Sequence, residues 1–211
     1  MDGVRGCRRE SGRYRVRVRI RGLLVGVLLV VTSCSSSEAA AVLRDGSIVP
    51  VGQRVAIGEV SGEDLLDPAR TVAVDDYVGQ VVVVNVWGAW CPSCQAEAGD
   101  LERVHQEFVD EDVAFVGINV RDRIRESAVD FVRDRSISYP SIHDPSMRTF
   151  VELKDYRNVA IPSTLILDRR HRVASAFVGA VTGDELADKL RVVVDEKNTT
   201  RSAEEPVGVG G

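Results

Sequence analysis

A chain of 211 residues with 44 % hydrophobic and 28 % charged side chains has the composition of a soluble globular domain with one full-sized core, which excludes a disordered chain and a multi-span membrane protein. The formal net charge of -5 is unevenly spread: eight arginines and two acids precede Cys34, leaving 19 basic and 30 acidic residues after it, a balance of -11. That surface excludes a nucleic-acid partner, because phosphate contacts need clustered lysine or arginine.

In chain order, residues 1–33 read as a signal peptide of lipoprotein type. Arg13, Arg15, Arg17, Arg19 and Arg21 form a basic region, an apolar stretch runs from Leu23 to Val31, and small polar residues follow. About nine apolar residues are too few to span a bilayer, which needs roughly 20 in a helix. Val31-Thr32-Ser33-Cys34 resembles the bacterial lipobox, which implies that Cys34 is the lipid attachment site and that the domain hangs from the outer face of the cytoplasmic membrane, extracytoplasmic and lipid-anchored. Residues 34–52 are small and polar without a helical or strand period, and predict a flexible tether reaching about 60 Å when extended.

Residues 53–195 predict the folded domain. The β-branched runs 54–60 and 71–74, separated by Gly62, Asp67 and Pro68, suggest an N-terminal hairpin, and 75–79 a turn or short helix. Residues 81–87, Val-Val-Val-Val-Asn-Val-Trp, form a continuous apolar strand of the kind buried on both faces. Cys94, Ala98, Leu101, Val104 and Phe108 recur every three or four residues, predicting a helix over 92–109 with Pro92 tolerated in its first turn. Residues 113–120 are a second buried strand, and 123–135 an amphipathic helix with Ile124, Ala128, Phe131 and Val132 on its apolar side. A loop at His143-Asp144-Pro145 leads to a short helix over 146–153. Strands at 164–168 and 173–178 flank the charged turn Arg169-Arg170-His171, a helix over 183–194 closes the domain, and 196–211 is expected to be a disordered tail. This order predicts an α/β thioredoxin fold: a central mixed β-sheet flanked by helices, with an N-terminal β-hairpin addition and a central insertion around 121–153.

The chemistry centres on Trp90-Cys91-Pro92-Ser93-Cys94, where the apolar strand turns into the first helix. Cys7 lies in the basic head and Cys34 ends the apolar run, so Cys91 and Cys94 are the domain's cysteines and read as a redox pair. A thiolate is the attacking species, and a cysteine of ordinary pKa is only about 3 % ionised at pH 7. At the first turn of a helix, Cys91 meets unpaired N–H groups and the positive end of the dipole, which stabilise the anion. It is expected to be the exposed nucleophile, and Cys94, on the apolar face, the resolving thiol. Glu97, one turn further on, is placed to deprotonate Cys94, the alternative being a solvated helical glutamate. A zinc site would need further ligands, and His105, His143 and His171 are scattered; no metal and no cofactor is expected.

Residues 82–97 resemble the active-site stretch of the TlpA/ResA/CcmG group of extracytoplasmic thioredoxin-like proteins, and residues 159–168 resemble that group's cis-proline strand. The resemblance covers about residues 50–195. It implies a cis bond between Ile161 and Pro162 facing the cysteines, substrate contacts from Trp90, Pro92, Ile161 and Pro162, and an acid–base role for Glu97. Asn85 stands where ordinary thioredoxins carry a buried acid, as is usual in this group, and Gly99 departs from its common proline.

The function implied is a membrane-tethered reductase of protein disulfides, a monomer kept reduced by a membrane thiol electron donor, with the oxidised haem-attachment CxxCH of apocytochromes c as favoured substrate. Three alternatives use the same residues: a thiol oxidase, a peroxiredoxin-like peroxidase, and a copper carrier built from Cys91, Cys94 and His143.

Overall fold

The computed structural model describes residues 45–157 and 160–204. The segment expected as a signal peptide, Cys34, the part of the expected tether before residue 45, Asn158, Val159 and the last seven residues of the expected tail lie outside the described residues.

Among the described residues, seven strands and three α-helices follow in chain order: β1 (Ser61–Glu63), β2 (Thr71–Ala73), β3 (Val81–Trp87), α1 (Pro92–Glu107), β4 (Val113–Val120), α2 (Arg125–Asp134), β5 (Ser141–Asp144), β6 (Ser163–Leu167), β7 (Val173–Val178) and α3 (Gly183–Glu204). β1 and β2 pair as a separate antiparallel hairpin, and the other five form one sheet in the order β5-β4-β3-β6-β7. β3 runs parallel to β4, and β4 to β5, whereas β6 is antiparallel to both β3 and β7. This is the expected α/β sheet with its N-terminal hairpin.

The valine run at β3 is continuous because both faces are covered. Val81, Val83 and Trp87 pack with Leu101, Val104 and Leu190 from α1 and α3. Val82, Val84 and Val86 pack with Val60, Val72, Ile142 and Leu153 on the opposite side. Each fully buried side chain of this kind contributes about 1.5–3 kcal/mol. The helix face therefore carries the functional end of α1, and the other face is closed by the hairpin and the central insertion.

Several boundaries differ from the sequence expectation. Residues 54–60 form no strand beyond a single bridge of Ala56 with Arg172; they cross the sheet as an extended strap that buries Ile57 and Val60. The expected loop at His143-Asp144 is the end of strand β5, which is too short and polar to show a period of two. The helix expected over 146–153 is two separate 3-10 turns, Arg148–Val151 and Lys154–Tyr156. The Asp144 carboxylate stops the chain there by accepting from Arg148 N, Thr149 N and Thr149 Oγ1. Ile124 caps α2 from an extended conformation and is 65 % exposed, off the buried stripe of Ala128, Phe131 and Val132.

Both ends of the domain are more extensive than expected. α3 continues to Glu204, and within the segment expected as a disordered tail Glu196 pairs with the buried Arg54, which also holds Asp168. At the other end, the part of the expected tether from Asp45 onward lies along β7: Gly46 N donates to Ala176 O and Val49 N to Ala174 O, both at 2.8 Å. The bare edge of β7 supplies the hydrogen bonds that make this small, polar segment part of the domain. Gly46 has φ +78°, and a Cβ there would strike the Phe177 ring. Gly46→Ala is expected to lower stability by about 2 kcal/mol in urea unfolding; an unchanged midpoint would mean that residues 45–49 act as free tether.

Candidate active site

β3 delivers the chain to the carboxyl end of the sheet's central strand at Trp87, and a turn closed by Cys91 N on Gly88 O (3.1 Å) swings it into α1. Cys91 is the N-cap of that helix and Pro92 its first residue, where a missing N–H leaves nothing unpaired. Cys94 N donates to Cys91 Sγ at 3.2 Å, and Ser93 Oγ lies 3.5 Å from the same sulfur. Cys91 and Cys94 are joined in a disulfide, their Cα atoms 5.3 Å apart.

In this disulfide Cys91 is not exposed: both cysteines are only 2 % accessible. Ile161 O lies 3.8 Å from Cys91 Sγ, and the neighbouring Trp90, 46 % exposed, has its indole N–H tied to Val120 O at 3.0 Å. Helical placement puts Cys91 at the helix end, but the sulfur is buried there with Ile161 O beside it. Pro92 and Ser93 remain exposed. The Ile161–Pro162 bond is cis and lies at the start of β6, with Ile161 half-buried and Pro162 buried.

Glu97 is brought to the same place from one turn along α1, and it is not a solvated helical residue. It is 3 % exposed. Asn85 Nδ2 on β3 donates to its Oε1, and Val181 N, just before α3, donates to its Oε2, both at 3.1 Å. Burial pushes the carboxyl up to about 7, against the opposing pull of the Val181 and Asn85 hydrogen bonds. Asn85 is itself fixed by a second bond to Thr164 Oγ1 on β6. A cavity of about 10 Å³, near the lower limit for one water, borders Asn85, Cys94 and Tyr139. The site thus holds a disulfide, a carboxyl poised to change charge near neutrality, and a backbone edge at Ile161.

Several contributors have no signature in the motif. Ala89, between the strand and Trp90, is held on both sides: its N–H by Asp122 Oδ2 at 2.7 Å and its carbonyl by Gln95 Nε2 at 2.8 Å. The signal that could have found Asp122 is positional, since polar residues just past the carboxyl end of a parallel strand face the functional edge of an open sheet. A groove of about 380 Å³ opens beside Trp90, lined in part by Phe131 and Arg135. His143 stands on β5 with Nδ1 3.0 Å from Asn119 Oδ1, and burial lowers its pKa. Among the described residues no group of three or more His, Cys, Asp or Glu side chains is placed to hold a metal ion.

A disulfide at a strand-to-helix junction opposite a cis proline, on a sheet of this topology, defines the class as thioredoxin-type thiol-disulfide oxidoreductases. Residues 55–176 match the AhpC/TSA family, and the chain belongs to it. The thiol:disulfide interchange protein DsbE of Allochromatium vinosum is 31 % identical over 136 residues, 64 % of this chain and 72 % of that protein. The thiol-disulfide oxidoreductase ResA of Oceanobacillus iheyensis is 24 % identical over 193 residues, 90 % of this chain and 94 % of ResA. Among solved structures, a DsbF homologue from Corynebacterium diphtheriae shares 37 % identity at a TM-score of 0.66, covering 71 % of this chain and 93 % of that one. A secreted thiol-disulfide isomerase from Corynebacterium glutamicum shares 34 % at 0.68, covering 72 % and 93 %. The chain is an enzyme, a thiol-disulfide oxidoreductase of the group its two motifs resemble.

Proposed function

We propose that the enzyme is a membrane-tethered, extracytoplasmic reductase of protein disulfides, with the oxidised CxxCH of apocytochromes c as its substrate. The observation that carries the direction is the buried Glu97 carboxyl one turn behind Cys94. A carboxylate there disfavours a neighbouring thiolate, so the reduced pair is not stabilised as it is in strong oxidants, and it gives up electrons readily.

The steps use residues already in place. The Cys91 thiolate attacks one sulfur of the substrate disulfide, forming a mixed disulfide and releasing the other sulfur as a thiolate that takes a proton from water. Glu97, ionised, accepts the Cys94 proton; the Cys94 thiolate attacks Cys91 Sγ, closing the Cys91–Cys94 disulfide and releasing the second substrate thiolate. Two electrons have moved to the substrate, and a membrane thiol donor restores the dithiol. Trp90, Pro92 and the Ile161–Pro162 edge present backbone and apolar surface to the substrate chain.

Membership of the AhpC/TSA family does not bring peroxide chemistry to this site, because Trp87-Gly88-Ala89-Trp90 lacks the proline and threonine that peroxiredoxins place around their cysteine. The copper-carrier alternative gains no support from a site in which Cys91 and Cys94 are joined as a disulfide and, among the described residues, no group of three or more His, Cys, Asp or Glu side chains is placed to hold a metal ion. A thiol-disulfide isomerase is the second reading, favoured by the likeness to the secreted thiol-disulfide isomerase of Corynebacterium glutamicum.

Location rests on the lipobox resemblance at Cys34. The test is Cys94→Ala expressed in cells: mixed disulfides in the membrane fraction should contain apocytochrome c linked through its CxxCH, and adding Cys34→Ala should move the enzyme to the soluble fraction. Trapped partners without a CxxCH would contradict the substrate, and membrane retention after Cys34→Ala would contradict the anchor.

A further inference from the structure

We infer that Asp122 is a positioning residue that holds the Trp90–Cys91 loop and, through its charge, keeps the Cys91–Cys94 couple reducing. This deepens the reductase reading and rests on it for the biological sense of the effect.

Asp122 lies just beyond β4 and is 6 % exposed. Its Oδ2 accepts two hydrogen bonds, from Ala89 N at 2.7 Å and from Asn119 Nδ2 at 2.6 Å. Asn119 is in turn oriented by His143, whose Nδ1 lies 3.0 Å from Asn119 Oδ1; with that oxygen facing the imidazole, the amide N–H groups point to Asp122. The carboxylate is therefore fixed from behind before it meets the loop.

The loop it meets is the one that sets Cys91. Ala89 precedes Cys91 by two residues, in the turn closed by Cys91 N on Gly88 O. The next side chain, Trp90, is pinned to Val120 O on the same β4 segment. The end of β4 thus grips the loop at two points, a carboxylate and a carbonyl. Two residues span at most about 7 Å, so a charge bonded to Ala89 N at 2.7 Å lies within roughly 10 Å of the Cys91 backbone, in buried surroundings that screen it little. A fixed negative charge at that range opposes the Cys91 thiolate, raises the thiol pKa and favours the disulfide over the dithiol. Arg121, beside it, carries the opposite charge over Trp90 at 5.8 Å from the ring centroid, but it is exposed and solvent-screened.

Asp122→Asn separates the charge from the contact, since an amide oxygen can still accept from both donors. It should lower the Cys91 thiol pKa, read by thiolate absorbance, and shift the equilibrium with glutathione about five- to tenfold toward the dithiol, tenfold being about 30 mV. Asp122→Ala should shift the equilibrium in the same direction and also lower the thermal midpoint, because Ala89 N and Asn119 lose their acceptor. Glu126→Gln, which neutralises an exposed acid in the first turn of α2, should change the equilibrium by less than twofold. If both Asp122 variants lose stability or nothing at all, yet their folded forms keep the wild-type thiol pKa and an equilibrium within twofold of wild type, the inference is overturned and Asp122 is a structural peg. A wild-type couple that proves oxidising would sink the reductase reading alone, while the difference between wild type and Asp122→Asn would still decide the role of this carboxylate.

Discussion

Cys91→Ala is expected to reduce disulfide turnover at least a thousandfold, whereas Cys94→Ala should leave the first attack intact and stop the enzyme at a covalent mixed disulfide. The asymmetry follows from position on α1. Cys91 is the N-cap, in extended conformation (φ -93°, ψ 112°), with its sulfur accepting from Cys94 N. An anion there keeps that hydrogen bond and the favourable end of the helix dipole. Cys94 sits inside the helix on the face packed against Trp87 and Phe131, where it can reach Cys91 but not a substrate. The burial of Cys91 in the disulfide does not reverse this assignment. Reduction parts the two sulfurs, and the N-cap can move without breaking a helix, whereas Cys94 cannot. Stopped-flow reduction of a model disulfide followed by mass spectrometry of the trapped adduct checks both halves. An adduct on Cys94 in the Cys91→Ala variant, formed as fast as that on Cys91 in the other, would exchange the two roles.

The second large effect is expected at Glu97. With its carboxyl near 7, the intramolecular step that closes the disulfide should accelerate as pH rises through neutrality, because only the carboxylate can take the Cys94 proton. Glu97→Gln should slow that step about 10- to 100-fold at pH 8 and abolish its titration near pH 7. The same group makes a separate prediction about stability. Its folded pKa, about 7, lies above the unfolded value of roughly 4.3. Between those values the folded protein therefore binds more protons than the unfolded chain. The resulting stabilisation is complete below the unfolded pKa and is lost as pH rises through the folded one, by about 4 kcal/mol in all. Urea unfolding of wild type should show stability falling between about pH 4.5 and 7 from this group, and the Gln variant should lack that slope. A Gln variant with the wild-type slope and the wild-type pH profile of disulfide closure would leave Glu97 without an acid–base role.

The parts of the fold legible in the sequence are those whose burial is one-sided in pattern or complete. The valine run of β3, the eight residues of β4 and the stripe Ala98-Leu101-Val104 on α1 are surrounded by core, so periodicity and apolar runs mark them directly. β5 was not legible because its partners, not its composition, make it a strand: its four residues add to β4 through backbone pairing, and three of them, Ser141, His143 and Asp144, are polar and held by side-chain hydrogen bonds. The docking of residues 45–49 on β7 was hidden for the same reason, since backbone donors on an unpaired edge recruit a segment with no strand pattern of its own. In the site, Cys91, Cys94 and Glu97 share one helix and could be read from spacing. Val181, Thr164 and Asp122 arrive from the segment before α3, from β6 and from just beyond β4, across sequence distances at which no local pattern links them to the motif. Burial of Glu97 was equally invisible, because it comes from the segment preceding α3 closing over a helix position that looks solvent-facing in isolation.

The reduction potential of the wild-type Cys91–Cys94 couple, measured by equilibration with glutathione, tests the central claim most directly. The account predicts a value more reducing than about -200 mV, on the thioredoxin side of the scale; a value more oxidising than about -180 mV would contradict a reductase and make the enzyme a thiol oxidase or isomerase of the same fold.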